Sequence, residues 1–417
     1  MAHALSSLID RLATPVSRRT GITSALLAIA AGLAGSAETD AKKKKTKKKK
    51  LGQSCRQVSD CANAQAWQCA PYANNKFSSS PTATFCLLHD GDPCDQNSAC
   101  PYGNCVNGQC ASASVVASAN GQYSTIADAV AGTFAGGEIC FMPGTYNDVS
   151  VSIDKTLTIT MCGNSGQVTL NSPNNGRVFT LQLANAEDVV TIRGVTMDSF
   201  TMSGLAVADA DRLDDGGIID LSLPGTGATA GGSLVLEFVT LTKGKARTSG
   251  GGIRAHTTGS VTLTDVMVKE CVSPKGGGIA MKQGALTLKG QSWVKSCQAS
   301  LRGAGVLLVE GPATLSLEDT AKIGTDYPSG DGIACVQAGG NWSVSGLGGG
   351  IYAETGTSVT MADNATVFCN VAGNGGGIFV DTDASLSGTA TCQSGKVASN
   401  FDNGGDSNIE TPLTASC

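Results

Sequence analysis

The sequence predicts an all-β solenoid of about 26 residues per coil, and three observations predict it. The first is a phrase that keeps returning. Ser249-Gly250-Gly251-Gly252-Ile253-Arg254-Ala255 recurs as Gly276-Gly277-Gly278-Ile279, Gly303-Ala304-Gly305-Val306, Gly348-Gly349-Gly350-Ile351 and Gly375-Gly376-Gly377-Ile378, and Gly404-Gly405-Asp406-Ser407-Asn408-Ile409 is a degraded copy. The full copies start 26, 27, 45 and 27 residues apart, so one coil is long. The second is a phrase that keeps step with the first: Val261-Thr262-Leu263, Leu286-Thr287-Leu288, Thr314-Leu315-Ser316-Leu317 and Val359-Thr360-Met361. The third is the alternation of apolar with small polar residues between the phrases, which is strand periodicity.

Residue types then choose among solenoids. Helical repeats need runs of good helix formers, whereas these units offer Gly, Thr, Ser and Val. Adjacent glycines supply positive φ and let the backbones of neighbouring coils approach closely. A strand, a turn at the glycines and another strand would stack parallel strands about 4.8 Å apart. This pattern resembles the right-handed parallel β-helix of the pectate-lyase-like superfamily. The repeat itself is similar to the GGxI/FxxN unit of chlamydial polymorphic outer-membrane proteins, with Phe368-Cys369-Asn370-Val371 placed ahead of Gly375-Gly376-Gly377-Ile378. The resemblance implies a fold, and a fold hosts many functions.

The chain ahead of the repeats divides by composition. In residues 1–41, Ser17-Arg18-Arg19-Thr20-Gly21-Ile22 precedes a weakly apolar run from Ser24 to Ala37. This resembles a twin-arginine signal and implies export, with cleavage expected after Ser36, Ala37 or Ala41. The run is short for a spanning helix, so no transmembrane span is expected once the signal is removed. Residues 42–50 hold eight lysines in nine positions, a solvated spacer or an electrostatic tether to a cell-envelope polyanion.

Residues 51–111 carry Cys55, Cys61, Cys69, Cys86, Cys94, Cys100, Cys105 and Cys110. Gly52-x-x-Cys55-x-Gln57-x-Ser59-x-Cys61 recurs 39 residues later as Gly91-x-x-Cys94-x-Gln96-x-Ser98-x-Cys100. Two four-cysteine halves follow, too short to bury a core and expected to be cross-linked instead, with the connectivity open. Sixteen cysteines, three histidines and no C-x2-C argue for an oxidised, secreted or surface location rather than a zinc scaffold.

Residues 112–417 form the expected solenoid. Gly121 to Val130 reads as a strand running into a short helix, and Gly137 to Tyr146 follows as strand and turn. That opening resembles the capped start of pectin-lyase-like β-helices. Residues 51–417 carry 18 basic against 31 acidic residues, a net of −13 that argues against nucleic acid as a partner.

Two stretches break the period, Asp198–Gly232 and Asp319–Leu347, and insertions in solenoids become side loops. The first holds Asp209, Asp211, Asp214 and Asp215, which could gather oxygen ligands for Ca²⁺ or remain an ordinary solvated loop. The resemblance implies enzymes that cut acidic polysaccharides, in which case Lys243, Lys245, Arg247 and Arg254 are the bases at hand. The chain contains no N-T-D, G-H-G, R-I-K or G-x-S-x-G motif. If the phrase isoleucines point inward, the next residues point outward. That puts Arg254, Ala280, Leu307, Tyr352 and Phe379 in one column and His256, Lys282, Val309, Glu354 and Asp381 in another. Arg254, His256, Lys282, Tyr352, Glu354, Phe379 and Asp381 are therefore the expected binding residues, a shallow platform with exposed aromatics for a glycan or protein. Cys271, Cys297 and Cys369 fall at equivalent places in their coils, as disulfide partners or as stacked buried thiols. The expected protein is a non-catalytic, adhesin-like surface scaffold. A Ca²⁺-dependent lyase or hydrolase and a structural envelope component are the alternatives.

Overall fold

Each glycine phrase opens a strand of one parallel sheet. One passage of the chain runs Ile253–His256 in sheet A, Ser260–Thr264 in sheet B, Met267–Lys269 in sheet C and Val272–Lys275 in sheet D, and the next passage begins at Ile279. Among the described residues, sheets A, B and C contain nine, ten and nine strands and sheet D contains three. Strands of equal rank pair in parallel from coil to coil. Ile253, Ile279, Val306, Ile351 and Ile378 form one in-register column, and Val261, Leu286, Leu315 and Val359 another. The protein is predominantly β, and its stacked parallel sheets are compatible with a parallel β-helix.

This computed structural model describes the backbone of five short strands (67–71, 84–88, 105–106, 109–110, 114–116) and most of 123–402, together with 405–406 and 409–410. Residues 124, 134, 163–165, 174–175, 205–215, 225–228, 327–331, 344–345, 363, 389–396 and 399 are excepted. The expected export signal (1–41), the Lys-rich segment (42–50), Cys55, Cys61, Cys94 and Cys100 lie outside the described residues, as do Asp209, Asp211, Asp214 and Asp215. In the cysteine-rich module, antiparallel pairing sets Cys69 opposite Cys86 and Cys105 opposite Cys110 along the backbone.

Alternation explains the interior. Strands of sheet B read intermediate-buried-intermediate, as in Ser260–Thr264, so every second residue enters the core. One continuous apolar cluster runs from Ile126 to Val397, and nearly all its members are sealed from solvent. Burying each Leu or Ile there contributes about 1.5–3 kcal/mol. At the N-terminal end the helix Ile126–Gly132 starts on Thr125, whose hydroxyl accepts from the Asp128 amide at 3.1 Å. Ile126, Ala129 and Val130 turn into the core, as the expected cap requires.

The three glycines of a phrase have three different roles. The first takes positive φ: Gly250, Gly276, Gly303, Gly348 and Gly375 lie between 58° and 67°. The second does not, but a Cβ on Gly277 would stand 2.3 Å from the Gln298 carbonyl of the next coil. The third faces inward, where a Cβ on Gly278 would meet Gly305 O at 2.6 Å and Val294 at 2.9 Å.

The corner after sheet C corrects the cysteine expectation. Val268, Val294, Ile323, Val367 and Val397 are in register. Counting three residues on from Val268, Val294, Val367 and Val397 gives Cys271, Cys297, Asn370 and Asn400, so Cys369 is one place off. It holds the left-handed conformation (φ 55°) that Glu270 and Ser296 hold in their coils, and it is bonded to Cys335. Cys271 and Cys297 are free, buried thiols. Burial, then the neighbouring Cys297, pushes the Cys271 thiol well above its usual range. Where the thiols stop, a ladder of asparagines begins. Asn341 Nδ2 donates to Asn370 Oδ1 and Asn370 Nδ2 to Asn400 Oδ1, both at 2.9 Å. Asn341 belongs to the long coil, whose helix Gly332–Gln337 and strand Trp342–Ser343 bring the chain back into the stack rather than leaving it as a free side loop. A second disulfide, Cys140–Cys162, joins neighbouring strands of sheet B at the N-terminal end.

Candidate functional site

The outer face of sheet A carries the two expected columns, because the register that buries Ile253 and its equivalents turns their neighbours outward. Arg254 pairs with Ala280, Leu307, Tyr352 and Phe379 in succession, and His256 with Lys282 and Val309. The columns extend one coil further back than the sequence reading reached. Gly216-Gly217-Ile218-Ile219 is another copy of the phrase, with Gly216 at φ 60°, and it places Asp220 beside Arg254.

Asp220 is the centre of the polar half. It is only 5% exposed, yet it is ionically satisfied on both oxygens. Arg254 Nη1 donates to Oδ1 at 3.0 Å, and Oδ2 accepts from Arg177 and, at 3.1 Å, from the Ser222 hydroxyl. Arg254 also donates to Ser222 Oγ at 3.1 Å. A carboxylate this buried would be costly alone, and two guanidiniums offset the desolvation. His256 stands in the next column, 3% exposed, with Nε2 3.0 Å from the Thr229 hydroxyl. Burial first, then the charges of Lys282 and Arg254, lower its pKa, so its neutral form is favoured. Lys282 pairs with Glu310 at 3.0 Å.

Further along, the face becomes apolar, and here the expectation of exposed aromatics needs correction. Tyr352 is 1% exposed. Ala280, Leu307 and Tyr352 form a small apolar cluster outside the main core, flanked by Val309, Leu347 and Phe379. Arg302, at the end of a sheet D strand, reaches over the Tyr352 ring at 5.0 Å and pairs with Glu354 at 3.1 Å. Phe379 stacks on the ring, its centroid 5.3 Å away and its plane within 7°. The phenol donates to Asp381 Oδ2 at 3.1 Å, and burial pushes its pKa up to about 12. Phe379, half-buried, is the aromatic that this face offers to solvent.

All seven expected residues thus lie on one face, but they form two groups. Asp220, Arg177, Arg254, Ser222, His256 and Lys282 make a charged end, and Tyr352, Phe379, Arg302, Glu354 and Asp381 an aromatic end. Arg177, Asp220, Ser222 and Arg302 were not among the expected residues. Asp220 and Ser222 could have been found from the phrase copy at Gly216; Arg177 lies in the preceding coil, ahead of the strand Phe179–Leu181, and Arg302 sits on a strand outside the repeating phrase. Among the described residues no group of three or more His, Cys, Asp or Glu could hold a metal ion. No helix among them is long and apolar enough to cross a membrane. Lys243, Lys245 and Arg247 lie at and after the sheet C corner one coil below the phrase of Arg254, not among the outward residues of the sheet A strands. Chemically, the face offers fixed ion pairs and a half-open aromatic ring on a rigid ladder. Compared with protein-family models, curated proteins and solved structures, the chain gives no match.

Proposed function

We propose that this protein is an exported, non-catalytic binding scaffold, a right-handed parallel β-helix of pectate-lyase-like type held at or near the cell surface. The outer face of sheet A is its ligand platform, for a glycan or a protein of the envelope. The observation that carries this reading is the use made of the charges there. Asp220, Glu310, Glu354 and Asp381 each hold a partner on the same face: Arg254 and Arg177, Lys282, Arg302, and Tyr352. A hydrolase needs a carboxylate left to give or take a proton, and a lyase a base left to take one. A binding face needs such groups held rigid and in place. Export follows from the arginine pair at Arg18-Arg19, the leader around it and the cysteine content.

A second reading, an enzyme on acidic polysaccharides, is favoured by one feature, the buried Asp220 flanked by Arg254 and His256. One experiment separates the two. The mature protein is incubated with neutral and acidic glycans, with and without Ca²⁺, and scored for retention and for new chain ends. Retention without new ends, weakened by Phe379→Ala and Lys282→Glu, is the expected result. New reducing or unsaturated ends that disappear with Asp220→Asn would replace the scaffold by the enzyme.

A further inference from the structure

Sheet C has an outer face of its own, and one part of it is unlike the rest of this acidic chain. Met267, Trp293 and Lys322 are successive residues of one outward column, and Lys269 and Lys295 of the next. The inward residues between them, Val268, Val294 and Ile323, are fully buried, so these side chains all point away from the core. The Lys295 ammonium lies 3.8 Å from the centre of the Trp293 indole and that of Lys322 lies 5.5 Å away. The indole N–H donates to the Gly324 carbonyl at 2.5 Å, which fixes the ring in its plane. The five side chains are half-buried, reachable but not loose.

The charges there are incompletely matched. Lys322 is paired with Asp326. Lys269 and Lys295, one strand spacing apart at about 4.8 Å, have no acidic partner within ion-pair distance among the described residues. The carboxylates that face this patch are Asp198, Glu270 and Asp326. Asp198 accepts from the Thr240 hydroxyl at 2.8 Å, and Glu270 stands at the corner beyond Lys269. Burial and the charge of Lys269 both lower the pKa of Lys295, more than these carboxylates raise it.

We propose that Lys269, Lys295 and Trp293 form a binding site for a carboxylate-bearing sugar of an acidic polysaccharide. A carboxylate set between the two ammonium groups supplies the counter-charge they lack. Drawn to it, Lys295 moves off the indole and uncovers a flat apolar surface, against which the C–H face of a pyranose packs. Lys322 stays with Asp326 at the edge and limits how far the sugar slides along the column. A neutral sugar gains the ring but not the charges, and a small anion gains the charges but not the ring. The inference rests on the binding-scaffold reading and names a different face of the same coils.

The test uses the full chain with every lysine from Lys42 to Lys50 replaced by Ser, so that the Lys-rich segment does not itself hold polyanions. Polygalacturonate is the probe and dextran the neutral control, followed by calorimetry at low salt. Removing charge-assisted contacts by Lys269→Gln with Lys295→Gln should weaken polygalacturonate binding about tenfold or more, and Trp293→Leu should weaken it as well. Lys269→Arg with Lys295→Arg should keep binding, which separates lost charge from lost folding. Lys289→Gln, outward on sheet B and outside both proposed faces, should leave it unchanged. No binding by the parent chain, equal binding of dextran, or full binding by the double Gln variant would overturn the proposal. Binding lost through Lys282→Gln but kept in the double Gln variant would retain the sheet A platform and refute the sheet C site.

Discussion

Replacing Gly277 by valine tests the stacking on which every other statement depends. Gly277 has no positive φ, so its role is spatial rather than conformational. A Cβ there would stand 2.3 Å from the Gln298 carbonyl oxygen and 2.6 Å from that of Ala304, both backbone atoms of the next coil. Neither can rotate away, so the two coils must separate. Separation strains Gly277 N–H to Gly303 O at 3.1 Å and Gln298 N–H to Cys271 O at 2.8 Å. Overpacking costs about 1–3 kcal/mol and each weakened bond about 1 kcal/mol, so the coil should lose about 2–5 kcal/mol. Ala304 fills the equivalent place one coil on, and its neighbour is the short strand Trp342–Ser343 across the long insertion. A methyl is thus accommodated where the stack is already interrupted, and Gly277 has uninterrupted coils on both sides.

Hydrogen exchange reads this locally, which suits a stacked array better than a single melting point. Protection should fall by about 30-fold or more, at 1.4 kcal/mol per tenfold, across residues 272–306, while amides near Ile126 and Ile159 keep theirs. Gly136→Ala is the comparison, since Gly136 has φ 81° and nothing within 4 Å of its Cβ position. It should cost only about 1–2 kcal/mol of conformational strain. Unchanged exchange in Gly277→Val would refute the close approach of the coils. Equal loss at Ile126 and at Gly277 would refute nearest-neighbour stacking.

Asn370→Ala should destabilise by about 2–4 kcal/mol in urea unfolding, because it strands the buried Asn341 amide and the Ile323 carbonyl that Asn370 now satisfies. Cys297→Asn should cost nothing or stabilise, adding a rung whose amide reaches the Val268 carbonyl that the Cys297 thiol already approaches at 3.9 Å. For His256 the folded pKa is lowered, so the unfolded chain binds more protons and stability falls as pH drops through the ordinary value of 6.5. Chemical unfolding between about pH 5 and 8 should show that decline, and His256→Gln should flatten this part of it.

The phrase made the fold legible because its constraints are local and recur. A left-handed glycine, a glycine under the next coil and an inward isoleucine must return at each passage, so their spacing is the coil length. The outer columns were legible for the same reason, and Arg254 to Phe379 and His256 to Lys282 lie in register as the alternation requires. Alternation says which way a side chain points, however, and nothing about what lies over it. Tyr352 points outward and is buried because Arg302, from a sheet D strand, lies over its ring and Leu347, bridged to Arg302 from the next coil, packs against its cluster. Asp220 was obscured for the opposite reason. The acidic run Asp214-Asp215 draws the eye to a loop, while the glycines beside it are the ordinary start of a sheet A strand.

Cys369 shows where counting from a phrase stops working. Eight residues separate it from Met361, as eight separate Cys271 from Leu263, yet the structure puts Asn370 in the thiol column. Distance along the chain is conserved only while each corner spends the same number of residues. At the sheet B to sheet C corner Asp265 takes φ 53° and Val268 follows five residues after Leu263, whereas Val367 follows six after Met361, so that corner uses one residue more. Register is settled at the strand, where side chains must enter the core, and not at the corner, where they need not. The column that results joins two chemistries with one geometric demand. Cys271 and Cys297 fill it with small, weakly polar thiols, and Asn341, Asn370 and Asn400 fill it with amides that bond each other and the carbonyls beneath. The change from one to the other falls at the long coil, where the insertion brings Asn341 beside Cys297 and its side-chain oxygen accepts the Cys297 amide at 3.0 Å. The asparagines therefore tie the C-terminal coils together through side chains as well as backbone, and they begin where the regular period is broken.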